Sequence, residues 1–333
     1  MSVKDELTKD FMSQNSVFAE FINYSIHNGE ELIEPENLQE LDSVHITSLL
    51  NKMEESGDIT PKTVKRTRDI IKRSVIKSDG NNTYVIFGIE NQTNIDYTMP
   101  LRNLLYDTLY YFHQIDEIAD RHSKEGVKLK AGGEFLSKFK KEDKLNPVIT
   151  TVAYFGTKQW DGPLTITDML NIADERYLEY IPRYRMPLIE LSRLNRKDIM
   201  SFNTELREVC GFLKYSKDKN GLQKFFEDNP RKTISAKGYN LINEITNSGM
   251  KPLEGDEETD MCKAIEDIRE EGRQKGKEEG KEEGKIEGRD EERFSLLVEL
   301  VNEGSIDVDK ALEKLHMSLD EFYKKKTEYE KGN

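Results

Sequence analysis

RTRDIIKRSVIKSDGNNTYVIFGIENQ, residues 66–92, decides how the rest of the chain is read. Asp69 to Ile76 and Thr83 to Ile89 are rich in β-branched and apolar residues, and Ser78-Asp79-Gly80-Asn81-Asn82 between them is dense in turn formers. Two such runs across such a turn predict an antiparallel hairpin. Side chains alternate along a strand, so Tyr84, Ile86, Gly88, Glu90 and Gln92 fall on one face and Val85, Phe87, Ile89 and Asn91 on the other. Pairing 69–76 with 83–90 brings Asp69 level with the end of the second strand. Asp69, Glu90 and Gln92 are then expected to converge at one edge of the sheet. Hard oxygen ligands of this kind, one or two of them carboxylates, suit Mg²⁺ with positions left for water and a phosphate.

Outward from the hairpin, the periodicity of residues 7–26 predicts an amphipathic helix broken near Ser13 to Ser16. Thr98-Met99-Pro100 opens a long helix whose apolar side is expected at Leu101, Leu104, Leu105, Leu109 and Phe112. PVITTVAYF, from Pro147, is nearly continuous in apolar and β-branched residues and predicts a strand covered on both faces. Helical patterns dominate from about 164 to 246, and Trp160 is expected to anchor a loop. Beyond 250 the composition changes. Gly272, Gly276, Gly280, Gly284 and Gly288 recur every fourth residue in a highly charged stretch, which is either a flexible tether or a helix with a glycine stripe for self-association. Phe294 to Val301, Val308 to Leu315 and a segment capped by Ser318 and Glu321 predict a small three-helix module. The expected division is 1–250 as the main domain, 251–290 as linker or helix, and 291–333 as the terminal module.

The chain has 333 residues, a net charge of −14, and 34% charged against 35% hydrophobic residues, which fits one sizeable core plus a solvated extension. No apolar run is long enough for a bilayer span, and the start lacks an apolar signal region, so a cytoplasmic location is expected. The two cysteines, Cys210 and Cys262, carry no metal-ligand spacing. An acidic total speaks against coating nucleic acid by bulk charge. Locally, however, Lys62 to Lys77 holds seven basic residues against the single acid Asp69. Arg66, Arg68, Lys72 and Arg73 in this island, with Arg102 and Tyr106 one helical turn apart further on, are candidates to meet a DNA backbone. The alternative for each is a solvated surface, or for Arg102 and Tyr106 an ordinary i, i+4 pair. Lys138, Lys140, Lys141 and Lys144 form a second basic group.

Residues 66–111, ending in MPLRNLLYDTLYY, and 132–170, GGEFLSKFKKEDKLNPVITTVAYFGTKQWDGPLTITDML, resemble the Rpn family, recombination-promoting nucleases or transposases of the PD-(D/E)xK superfamily. The FAEFIN segment from Phe18 and the EEG-type repeats are similar too. The resemblance implies a restriction-endonuclease-like α/β fold, a central mixed sheet flanked by helices, with a C-terminal helical extension. It implies a metal-dependent DNA endonuclease in which Asp69 and Glu90 bind Mg²⁺ or Mn²⁺. The position usually held by lysine is Gln92, whose neutral amide orients water but supplies no charge. Glu20 is either an additional metal ligand, as in other members, or a surface glutamate. DNA and further copies of the chain are the implied partners. The alternative is a catalytically inactive nuclease-fold module that binds DNA or protein and oligomerises through its tail.

Overall fold

The computed structural model of the chain describes residues 3–41, 70–78, 81–130, 132–229, 233–247, 251–255 and 257–332. They fall into two compact units, Met1–Ala264 and Ile265–Asn333. The first is built on a five-stranded sheet with the spatial order β1 (Gln39–Glu40), β2 (Ile70–Ser78), β3 (Asn81–Gln92), β4 (Val148–Tyr154) and β5 (Leu188–Glu190). β1 to β3 run antiparallel, and β4 and β5 run parallel to β3, giving the mixed sheet that the sequence led us to expect. In the hairpin Ile70 faces Ile89 and Ser78 faces Asn81, so the pairing extends further into the turn-rich segment than composition suggested.

The helices of the first unit are α1 (Val3–Met12), α2 (Asn15–His27), α3 (Met99–Lys124), α4 (Gly133–Ser137), α5 (Arg196–Ser201), α6 (Leu206–Tyr215), α7 (Lys219–Asp228) and α8 (Ala236–Thr246). Parallel neighbours need a crossover, and α3 supplies it between β3 and β4. Pro100 sits in its first turn, where a missing N–H costs no helical bond. On the α3 face of the sheet, Ile71, Ile86 and Val148 pack with Tyr106, Leu109 and Tyr110. Met99, Val152, Tyr154, Trp160 and Met186 form a second cluster. The opposite face receives the N-terminal helices. α1 lies against β3 and α8, and the His27 ring meets Phe87 edge-on. The break between α1 and α2 at Ser13-Gln14 is where the sequence placed it.

Two expectations need correction. The buried side of α3 keeps only part of the expected apolar stripe: Leu109 is buried and Leu105 packs on the core, but Leu101 and Phe112 are 53% and 56% exposed, while Arg102, Asn103, Asp107 and Gln114 are buried. Arg102, Asp107 and Gln114 turn inward onto strand and loop groups that pair with them. Residues 164–195 carry no α-helix either. They form short 3₁₀ turns, a Thr165–Arg185 bridge and β5, in a stretch where Pro163, Pro182 and Pro187 deny the backbone continuous helical hydrogen bonding. Trp160 does anchor its loop: its ring is buried against Tyr154 and its Nε1–H donates to the Gly162 carbonyl at 3.0 Å.

The second unit holds most of α9 (Met261–Asn302) with α10 (Val308–Leu315) and α11 (Leu319–Gly332). Phe294, Leu297 and Val298 close on Ala311 and Phe322, so the expected three-helix module has a core of its own. Ser318 and Glu321 make the capping box, the Ser318 hydroxyl donating to the carboxylate at 2.7 Å. All five repeating glycines lie within α9, and a Cβ placed on Gly280, Gly284 or Gly288 meets nothing within 4 Å. Among the described residues no helix is long and apolar enough to cross a membrane.

Candidate active site

The C-terminal end of β3 carries two of the candidate residues, Glu90 and Gln92. Alternation puts Ile86, Gly88, Glu90 and Gln92 on the face covered by α3, and β4 continues the layer with Val152 beside Glu90 and Tyr154 beside Gln92. Glu90 is 1% exposed and Gln92 8%, so a carboxylate and an amide lie two residues apart inside the protein. A carboxylate there requires compensation, because desolvating a charge costs several kcal/mol. α3 provides it. Arg102 Nη2 lies 3.6 Å from Glu90 Oε2, and its Nη1 lies 2.5 Å from Asp96 Oδ2.

Asp96 is fixed in turn by the start of that helix. Its Oδ1 accepts from the Thr98 N–H at 2.8 Å and the Thr98 hydroxyl at 2.7 Å. Burial works to raise the Asp96 pKa, but the Thr98 donors and the Arg102 guanidinium outweigh it and hold the group below the ordinary carboxylate range. For Arg102, burial works against the charge and is overcome chiefly by Glu90, so the guanidinium stays firmly protonated. One turn along α3, Asp107 accepts from Thr150 Oγ1 at 2.6 Å and from the Tyr184 hydroxyl at 2.8 Å. Thr150 pairs with Gly88, so this second buried carboxylate lies on the same sheet face as Glu90.

Sequence reasoning placed Glu90 and Gln92 together, and they are together. Asp69, Arg66 and Arg68 lie outside the described residues. Lys72 points to the other face and is 2% exposed, with its ammonium donating to the Ser13 carbonyl at 2.6 Å and to Asn15 Oδ1. It is a buried tie between β2 and the α1–α2 link, not a surface cation. Arg73 is on the α3 face, 3.9 Å from Glu117, and pairs with Ile86. Four residues of strand separate that position from Glu90, about 13 Å at 3.3 Å per residue. Arg102 and Tyr106 are 8% and 1% exposed, so both belong to the interior rather than to a solvated helix surface. Glu20 stands on α2, on the sheet face opposite α3, and its carboxylate accepts from the Asn203 and Thr204 backbone N–H groups and the Thr204 hydroxyl. Its carboxylate is thus engaged with the backbone ahead of α6. Asp96, Asp107, Thr150 and Tyr184 were not foreseen. A local signal existed for Asp96, an Asp two residues before the Thr that opens a helix, whereas nothing near Tyr184 marks it as the partner of a residue 77 positions away.

A family described as Putative transposase, YhgA-like, has a model that matches residues 3–237 of this chain. No curated protein and no solved structure matches it.

Proposed function

The chain belongs to the YhgA-like putative transposase family, and on that premise we propose that it is a metal-dependent endonuclease that hydrolyses DNA phosphodiester bonds at the site built around Glu90. The observation that carries this reading is a carboxylate 1% exposed, at a strand end, beside an amide and within reach of a shared guanidinium. Burial of that kind is kept where the charge has work to do.

The donor set fits Mg²⁺ or Mn²⁺ in chemistry, since Glu90 offers carboxylate oxygens and Gln92 an amide oxygen on the same face. Among the described residues no three His, Cys, Asp or Glu side chains are grouped to hold a metal ion. The second carboxylate of the proposed site is Asp69, which precedes Ile70 in the chain as Glu90 follows Ile89, the residue that Ile70 pairs with. When bound, the cation would lower the pKa of a water and polarise the phosphoryl group. Gln92 orients the water without acting as its base. The positive charge that a lysine at position 92 would bring comes instead from α3, through Arg102. Arg66 and Arg68, with the exposed Lys138, Lys141 and Lys144, hold the DNA backbone, which gives position rather than sequence preference. Family membership supports a role in transposition or recombination.

A second reading, a nuclease-fold module that binds DNA or protein without cutting, draws on one observation: Arg102 already compensates the Glu90 charge. Supercoiled plasmid incubated with the full chain in Mg²⁺, Mn²⁺ or EDTA separates the two. Metal-dependent nicking is expected in the wild type and a loss of at least about a hundredfold in folded Asp69→Ala and Glu90→Ala, as for removal of groups that hold a catalytic metal. DNA binding with no cutting under any of these metals would establish the module instead.

A further inference from the structure

We infer that Arg102 is a positioning residue that holds the Glu90 carboxylate while no cation is bound and yields it when a divalent cation arrives, with Asp96 as the second seat of the guanidinium. The inference rests on the nuclease reading and names the element that sets cation affinity there. Three features support it. The guanidinium is unequally shared, 2.5 Å from Asp96 and 3.6 Å from Glu90, so it is anchored at the former and leans on the latter. Asp96 cannot follow it, because its other oxygen is tied to the backbone and hydroxyl of Thr98 at the start of α3. The guanidinium also hydrogen-bonds Tyr106 from its own helix, so it keeps a neutral partner when it leaves Glu90, and its buried Nε holds no acceptor that would have to be given up.

A guanidinium and a divalent cation repel each other when both are close to one buried carboxylate. Whatever Arg102 gains from Glu90, the cation must replace. This is a linkage between two ligands of one group, and removing the first must tighten the second. Asp96 acts through Arg102 in the opposite sense: by holding the guanidinium it makes Glu90 easier to release. Loss of Asp96 leaves Glu90 as the one carboxylate at Arg102, beside the Tyr106 hydroxyl, and weakens cation binding.

Mn²⁺ titrated calorimetrically into the full chain, without DNA, tests this directly. The wild type is expected to bind and Glu90→Gln to lose binding. Arg102→Gln is expected to bind about tenfold more tightly, within the usual range of coupling between sites. Asp96→Asn is expected to bind several-fold more weakly in the wild-type background and to change nothing in the Arg102→Gln background, because its effect passes through the guanidinium. A folded Arg102→Gln protein with unchanged or weaker Mn²⁺ affinity overturns the inference and leaves the nuclease reading standing. An Asp96→Asn effect that persists without Arg102 overturns it as well, since a direct field of the carboxylate would then explain it. Should Arg102→Gln not fold, Asp96→Asn alone decides: weaker binding supports the proposal and unchanged binding ends it. A wild type that binds no Mn²⁺ removes the metal-dependent site itself, and the inference with it.

Discussion

Two basic residues are buried on opposite faces of the same sheet, and their surroundings differ in kind. Lys72, on the face of α1 and α2, is held by a backbone carbonyl and an amide oxygen, with its ammonium 5.4 Å from the centre of the Phe18 ring. Burial pulls its pKa below the ordinary lysine value, with Glu40 opposing. Its hydrogen-bonding partners are neutral and its donors are spent on joining strand to helix link. Arg102, on the α3 face, stands between two carboxylates, so the trio of Glu90, Arg102 and Asp96 carries a formal charge of −1. A buried cation set among neutral acceptors is finished structure. A buried cation outnumbered by carboxylates leaves room for further positive charge, and that surplus is why the α3 face and not the other is the candidate site.

The comparison is tested hardest by removing each cation. Arg102→Gln takes the guanidinium from a carboxylate that is 1% exposed, and breaking a buried pair of this kind costs about 3–5 kcal/mol of stability. Urea denaturation in EDTA should register that loss, and saturating Mn²⁺ should return most of it, because a bound cation favours the native state. Lys72→Met keeps the apolar stem but leaves the Ser13 carbonyl and the Asn15 amide oxygen without their donor, at a cost of about 1–3 kcal/mol. Mn²⁺ should not restore that loss. If the cation rescues both variants, or neither, the distinction between the two faces is wrong.

What the sequence disclosed and what it hid follow the same division. The hairpin, the long helix after Pro100 and the doubly covered strand β4 were legible because each is written in local periodicity and turn chemistry. So was the pairing of Glu90 with Gln92, which needs only the two-residue alternation of a strand. The fate of the basic residues was not. Lys72 in its charge run and Arg102 on its helix both read as surface cations, and only tertiary placement sends both inward, one to neutral oxygens and one to acids. α3 misled for a related reason: its apolar residues at 101 and 112 and its polar residues at 102 and 107 compete for the buried side. Hydrophobicity favours the first, and the carboxylates and hydroxyls contributed by β3, β4 and the loop at Tyr184 select the second. Glu20 likewise reads as an isolated helix glutamate until the fold lays the Asn203-Thr204 backbone across it.

The smallest expected effect concerns Asp96, the outer member of the trio. Burial tends to raise its pKa, but Thr98 and Arg102 prevail and the folded value lies below the ordinary one. A carboxyl depressed in the native state is protonated more readily in the unfolded chain, so its stabilising contribution is complete above the unfolded pKa of about 3.9. It is lost as the pH falls through the lower, folded value. Melting temperatures taken from about pH 5 down to about pH 3 should therefore fall more steeply for the wild type than for Asp96→Asn. The difference is kept small because the Asp96 side chain is 28% exposed and water screens the pair. Lys72→Met, whose lost hydrogen-bond partners do not titrate there, should follow the wild-type slope. Parallel curves for wild type and Asp96→Asn would mean that Asp96 does not hold Arg102 in solution, and Glu90 would then be the one carboxylate that does.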